Sequence, residues 1–263
     1  MPFRQVIIKT KKDKALSKKI SLLWKLLVKL SAIKAPYKIN FVNHPKIYKD
    51  APIIWVLNHQ RFFDFPIALR AIGHPVKTVS GRQNLYFIDR LWFDAMKVIW
   101  IDRKDKADSR KAVAIIEDNL KSNQEILWFP EGTWNLSENL LMLPMKWGVV
   151  NTAFKTGSQI IPMLMEYDDN KKTVNIRYGP TMHDNFDDRI SAINNLRDIM
   201  ATERWLQWES QGIYKRASID VEYERTRLWN RLKEYPPLDW EYERSIIFNP
   251  HNFKNIEPEK KKF

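Results

Sequence analysis

Between residues 38 and 180, short apolar runs rich in β-branched and aromatic residues alternate with longer segments whose apolar positions recur every three or four residues. The short runs are Lys38–Val42, Ile53–Leu57, Val76–Ser80, Val98–Ile101, Glu125–Phe129, Gln159–Met165 and Thr173–Arg177, and each predicts a strand. Between them the spacing predicts helices over 65–72 (Pro66 in the first turn, Gly73 at the end), 85–96, from Asp108 through Leu120, and 146–156, closed by Gly157. From Asp187 the positions Ile190, Ile193, Leu196, Ile199 and Met200 continue one helix through Trp205. Strands that take turns with helices predict an α/β fold, a single domain with a mainly parallel or mixed sheet flanked by helices. A basic amphipathic helix over 1–36 precedes this domain at 37–205. A helical extension rich in aromatics and charge follows over 206–263, with no role written in its sequence.

Charge divides the chain at the same place. Residues 1–49 hold thirteen Lys/Arg against one acid, Asp13, whereas residues 50–263 hold 31 basic and 30 acidic residues, so nearly all of the +13 net charge lies at the N-terminus. On a helical wheel from Lys14 to Ile33, Leu16, Ile20, Leu23, Leu27 and Leu30 share one face with Trp24 at its edge, and Lys14, Lys18, Lys25 and Lys29 share the other. That pattern predicts a helix lying in an anionic membrane interface, on the cytoplasmic face, with packing against its own domain as the rival reading. No charge-free run is long enough to span a bilayer, so a peripheral protein without a transmembrane helix is expected. The near-neutral remainder offers no second basic patch, which argues against nucleic acid as a partner. With no cysteine there is no thiol nucleophile or thiolate metal site, and no His-Glu-x-x-His spacing suggests a bound metal.

Three strand ends carry polar clusters: Asn58-His59 followed by Asp64, Asp102-Arg103, and Glu131-Gly132-Thr133. In a parallel sheet the loops at strand C-terminal ends share one edge, where ligands bind. An imidazole and a carboxylate five residues apart there can form a base oriented by its partner, or equally a strand-end His beside a helix N-cap. Arg103 offers a clamp for an anion and Gly132 a close approach of backbone to substrate.

These clusters resemble the glycerolipid (lysophospholipid) acyltransferases, related to the 1-acylglycerol-3-phosphate acyltransferases. Four family motifs stand in order: Asn58-His59-Gln60-Arg61-Phe62-Phe63-Asp64, Ile99-Trp100-Ile101-Asp102-Arg103, Phe129-Pro130-Glu131-Gly132-Thr133 and Ile160-Ile161-Pro162-Met163. The resemblance covers roughly residues 50 to 180. It implies that His59 is the general base on an acceptor hydroxyl and that Asp64 orients it, with direct attack on an acyl thioester and no cofactor. Acyl-CoA or acyl carrier protein is then the co-substrate. It further implies that Arg103 holds an acceptor phosphate, that Glu131, Gly132 and Thr133 position the acceptor, and that Pro162 lines the acyl path. Arg82 and Lys146 stand near positions where the family carries basic residues. One departure concerns the acceptor: the member acting on lysophosphatidic acid usually has Arg after the third motif, and here Trp134 stands instead. The expected activity is acyl transfer to a lysophospholipid, first 1-acylglycerol-3-phosphate. A different lipid or glycolipid acceptor and a non-catalytic membrane-binding module are the alternatives.

Overall fold

The computed structural model describes residues 22–235, apart from 23, 31–32, 34, 83–86, 138–139, 184–187, 213–216, 218–219 and 221, together with residue 241. Seven strands, β1 (Lys38–Phe41), β2 (Ile53–Leu57), β3 (Lys77–Gly81), β4 (Ile99–Ile101), β5 (Ile126–Trp128), β6 (Gln159–Asp168) and β7 (Thr173–Tyr178), form one sheet in the order β1-β7-β6-β2-β5-β3-β4. Strands β2 to β6 run parallel, β7 is antiparallel to β6, and β1 runs parallel to β7. The sheet is therefore mixed, and the five parallel strands present their C-terminal ends on one edge.

Helices cover both faces: α1 (Asp64–Ile72), α2 (Phe87–Ala95), α3 (Lys106–Lys121), α4 (Gly148–Thr156), α5 (Arg189–Ser210) and α6 (Tyr223–Leu232). The period-2 alternation of β2 decides which residues meet which layer. Ile54 and Val56 join Ile126, Ile160 and Leu164 under Ile116 and Leu120 of α3, Val149 and Ala153 of α4, and Leu196 and Met200 of α5. Trp55 and Leu57 turn the other way, with Leu127, Ile161 and Met163, toward Phe65, Ile67 and Leu69 of α1 and Phe93 of α2. Truncating a fully buried residue such as Leu127 to Ala costs about 2–5 kcal/mol through lost transfer energy and the cavity left behind.

Boundaries follow local chemistry. Helix α1 ends where Gly73 takes a left-handed φ of 77° and its N–H reaches Leu69 O. Helix α3 starts earlier than its apolar spacing predicts, because the Asp105 side chain accepts the Ala107 N–H at 2.7 Å and caps it. Helix α5 is capped by Asp188 and runs unbroken through the boundary expected at 205/206; Arg204 and Gln207 on its inner face are buried, so the helix keeps packing on the domain beyond that point.

The N-terminal segment departs from a helix presenting one apolar face to lipid. Most of the expected stripe, Leu16, Ile20 and Leu23, lies outside the described residues, but residues 24–30 are helical. There Trp24 and Val28 are buried in the domain's core rather than at an interface edge, and Trp92 Nε1 donates to Leu27 O. Arg70 of α1 secures the connection by donating to Ala35 O and Tyr37 O, both at 2.8 Å. Leu22, Leu26, Leu30 and Ile33 stay exposed. Among the described residues, no helix is long and apolar enough to cross a membrane.

Candidate active site

Strand β2 delivers His59 to the sheet edge, and Asn58 fixes the point at which it leaves the strand. The Asn58 side chain accepts Met165 N–H at 2.8 Å and donates to Met165 O at 3.1 Å, extending the β2–β6 ladder by an amide. His59 Nδ1 then lies 2.9 Å from Asp64 Oδ2, and the same oxygen accepts the Gln60 and Arg61 backbone N–H groups at 2.5 and 2.8 Å. The second oxygen, Oδ1, accepts from the Tyr167 hydroxyl at the end of β6. Burial first, and the neighbouring Asp64 carboxylate next, push the Tyr167 phenol well above its ordinary pKa, so it serves as a donor rather than an anion. Asp64 is thus held at the first residue of α1 by four partners, which fixes the imidazole it faces. The His59 side chain keeps 16% of its surface exposed against 1% for Asp64. Nδ1 is engaged by the carboxylate, and Nε2 makes no hydrogen bond with the described residues.

The turn after β5 closes over this pair. Glu131 is buried, with Oε1 accepting His59 N–H at 3.0 Å and Oε2 accepting Leu143 N–H at 2.7 Å. Both carboxylate oxygens are therefore committed to backbone, and Glu131 stands behind His59 rather than toward an acceptor as expected. Burial drives its carboxyl up to about 7, the two N–H bonds opposing that rise. Gly132 takes φ 72°, a left-handed conformation that glycine adopts without strain. A Cβ built there would lie 3.2 Å from Lys146 Cε, and Arg103 Nη1 donates to Gly132 O at 2.5 Å. Arg103 also lies against Gly81 at the end of β3, where an added Cβ would meet its Nε at 2.8 Å. Arg103 and Lys146 accordingly flank Gly132 at the sheet edge, an electropositive pair suited to an anion. Thr133 is buried beside them. Arg82 reaches the same edge but pairs with Asp108 at 3.2 Å and is 62% exposed.

The walls around His59 are aromatic. Its ring stacks on Phe129 with centroids 4.2 Å apart, and Trp134 tilts against it at 4.9 Å. A cavity of about 30 Å³ adjoins the imidazole, bounded by Phe62, Phe65, Phe93 and Phe129 as well as Trp134. Pro162 does not reach it. Its place in β6, in register with Val56 and sharing parity with Ile160 and Leu164, turns it to the α5 side, where Gly179 N–H binds its carbonyl. Because proline cannot donate, Pro162 sits just before the antiparallel ladder to β7 begins at Met163.

Sequence spacing alone does not single out Tyr167, Arg61, Arg231, Glu234 or Tyr235. Tyr167 lies 103 positions from Asp64 and the C-terminal residues 171 or more from the loop after β2, and Arg61 occupies one of the unspecified places inside the first motif; only the fold brings them together. Among the described residues, no group of three His, Cys, Asp or Glu side chains is arranged to hold a metal ion.

The acyltransferase family profile matches residues 38–166, a span that holds all four motifs and both members of the His59–Asp64 pair. The 1-acyl-sn-glycerol-3-phosphate acyltransferase of Salmonella typhimurium is 30% identical over 125 residues, 46% of this chain and 50% of its own. The enzyme of the same name from Saccharomyces cerevisiae is 30% identical over 131 residues, 49% of this chain and 42% of its own. The chain thus spans about half the length of the curated relatives it matches. The crystal structure of the 1-acyl-sn-glycerophosphate acyltransferase PlsC from Thermotoga maritima shares the fold, with a TM-score of 0.58 at 14% identity over 80% of this chain and 86% of that one.

Proposed function

We propose that this chain, which belongs to the acyltransferase family through residues 38–166, moves a fatty acyl group from an acyl thioester to the hydroxyl of a lysophospholipid, first 1-acylglycerol-3-phosphate. The observation that carries the reading is the His59 Nδ1–Asp64 Oδ2 contact at 2.9 Å with Nε2 left for a substrate proton. In this scheme Nε2 takes the proton of the acceptor hydroxyl as its oxygen attacks the thioester carbonyl. Asp64 stabilises the imidazolium that results. Collapse of the tetrahedral intermediate breaks the C–S bond, and the imidazolium returns its proton to the departing thiolate, leaving ester and free thiol. No group on the enzyme is acylated. Acyl-CoA or acyl carrier protein is the donor, and no resident cofactor is needed.

The Arg103 and Lys146 pair around Gly132 supports a phosphate-bearing acceptor, as do relatives named for 1-acyl-sn-glycerol-3-phosphate. Trp134 favours the second reading, a larger or differently substituted lipid acceptor. Its indole stands against His59 where the lysophosphatidic acid enzymes usually carry a guanidinium, and it offers surface but no charge. Membrane association is peripheral in this proposal, on the cytoplasmic face, through the exposed Leu22, Leu26, Leu30 and Ile33 together with Lys25 and Lys29.

Labelled acyl-CoA offered with a panel of lysophospholipids tests both readings. Transfer to 1-acylglycerol-3-phosphate, lost in His59→Ala by about 10³-fold or more, is the expected result. Undiminished transfer by the variant sinks the base assignment, and preference for another acceptor moves the assignment to the second reading.

A further inference from the structure

The two loops that hold His59 are joined by α6 and the turn that follows it. At the close of α6, Arg231 Nη2 donates to Gln60 O at 3.1 Å and to Asn135 O at 3.4 Å, so one guanidinium spans the loop after β2 and the loop after β5. Three residues later Glu234 receives Arg61 through both Nε, at 3.0 Å, and Nη2. The Tyr235 hydroxyl donates to Gln60 O, and its ring meets Trp134 edge-on with centroids 4.9 Å apart, the same Trp134 ring that lies against His59. Arg61 is completed by Asp169 at 2.6 Å, which also accepts the Tyr37 hydroxyl. Burial works against the Arg61 charge, but the two carboxylates outweigh it and hold the guanidinium firmly protonated.

What these contacts hold is specific. Gln60 and Arg61 are the residues whose backbone N–H groups bind Asp64 Oδ2. The carbonyl on the far side of Gln60 and the side chain of Arg61 are the groups that Arg231, Glu234 and Tyr235 bind. Asn135, the other end of the bridge, donates its backbone N–H to His59 O at 2.5 Å. The C-terminal segment therefore grips Gln60 and Arg61, which hold Asp64, and Asn135, which binds His59 O.

We propose that α6 and the turn through Tyr235 form a positioning clamp, in which Arg231, Glu234 and Tyr235 set the geometry of the His59–Asp64 base from outside the site. This rests on the base assignment above and gives the C-terminal extension a role in it. The clamp acts on the reaction: it holds the carboxylate toward Nδ1, and Tyr235 steadies Trp134, a wall of the cavity beside the imidazole.

The full-length protein carries the test. Tyr235→Phe keeps the ring on Trp134 and removes the hydroxyl bond to Gln60. Glu234→Gln removes the charge that binds Arg61, and Glu234→Asp restores it on a shorter stem. Ile116→Val, on the other face of the sheet, lowers stability with no contact to either loop and serves as the control. The hydrogen bond between His59 Nδ1 and Asp64 is followed by NMR of protein labelled at histidine, together with kcat and KM.

The clamp predicts that Tyr235→Phe and Glu234→Gln weaken the downfield shift of the proton between His59 Nδ1 and Asp64 Oδ2, because the carboxylate is no longer held toward the ring. It also predicts that kcat falls about tenfold while KM stays within about twofold, with partial recovery in Glu234→Asp. If both variants lose stability as Ile116→Val does but leave the His59 proton signal and kcat unchanged, the segment is a structural brace and the proposal is overturned. If the parent protein transfers acyl groups to no acceptor, the functional reading fails, and the His59 proton signal still decides the clamp.

Discussion

Glu131 shows how one residue's chemistry follows from its surroundings rather than from its motif. A carboxylate in a turn at the sheet edge is the natural reading of a ligand-binding group, yet both oxygens are spent on the N–H groups of His59 and Leu143, and no solvent reaches it. Its pKa, raised to about 7 by burial, carries a sign that can be checked. Between the ordinary 4.5 and about 7 the folded protein binds more protons at Glu131 than the unfolded chain does, so the stability contributed by this group falls as pH rises through that window and is level above it. Glu131→Gln removes the titration but keeps one acceptor, and at the acid end of the window it costs about 1 kcal/mol for the N–H bond that is lost. Urea unfolding of both proteins at pH 5 and pH 8 is the measurement. The parent is expected to lose ground to the variant on going to pH 8, and parallel behaviour would show that Glu131 is ionised throughout.

At the scale of elements, three strand ends must arrive at one edge together, and Gly81 shows how closely. Strand β3 ends on a residue without a side chain because Arg103, arriving from β4, lies where a Cβ would be. Gly81 has no left-handed φ, so Ala is permitted by the backbone and the substitution tests only the contact. Gly81→Ala is expected to push Arg103 off the edge, raising KM for a phosphate-bearing acceptor about tenfold, the worth of one charge-assisted hydrogen bond. An unchanged KM, with unfolding also unchanged, would remove Arg103 from the acceptor site. All seven strands of the sheet and every helix from α1 to α5 were legible as periodic runs, because period and punctuation act within a few residues of each other. The motif residues His59, Asp64, Arg103 and Gly132 were legible as strand-end clusters for the same reason. Pro162 was not: its parity within β6 turns it away from the cavity, and parity against a core needs the sheet. Tyr167 and Tyr235 were illegible because nothing local marks a tyrosine that will meet a loop more than a hundred residues away.

Across the whole molecule, the described N-terminal residues present two different faces. Trp24 and Val28 face the core beneath α1 and α2, whereas Leu22, Leu26, Leu30 and Ile33, spaced by three and four residues, point outward. Trp92 ties α2 to this helix, and Phe87 and Leu91 of α2 are exposed as well. An exposed apolar stripe beside lysines 25 and 29 is the composition of a surface that enters an anionic interface. Deleting the segment would not test this, since removing Trp24 and Val28 opens the core and costs about 3–5 kcal/mol for the tryptophan alone. Substituting Leu22, Leu26 and Leu30 together by Glu leaves the buried face intact. Sedimentation with vesicles containing anionic lipid is then expected to show affinity lowered at least about tenfold, given about 1.5–3 kcal/mol for each leucine withdrawn from an apolar phase. Thermal unfolding should stay close to the parent's, because those three side chains touch little of the domain. The same variant should keep its turnover on a soluble, short-chain acceptor and lose it on acceptor embedded in vesicles, since the clamp, the base and the Arg103 edge all lie in the domain. Vesicle binding that survives all three substitutions would assign membrane contact to another surface and leave the outer face of this helix as solvent-exposed packing.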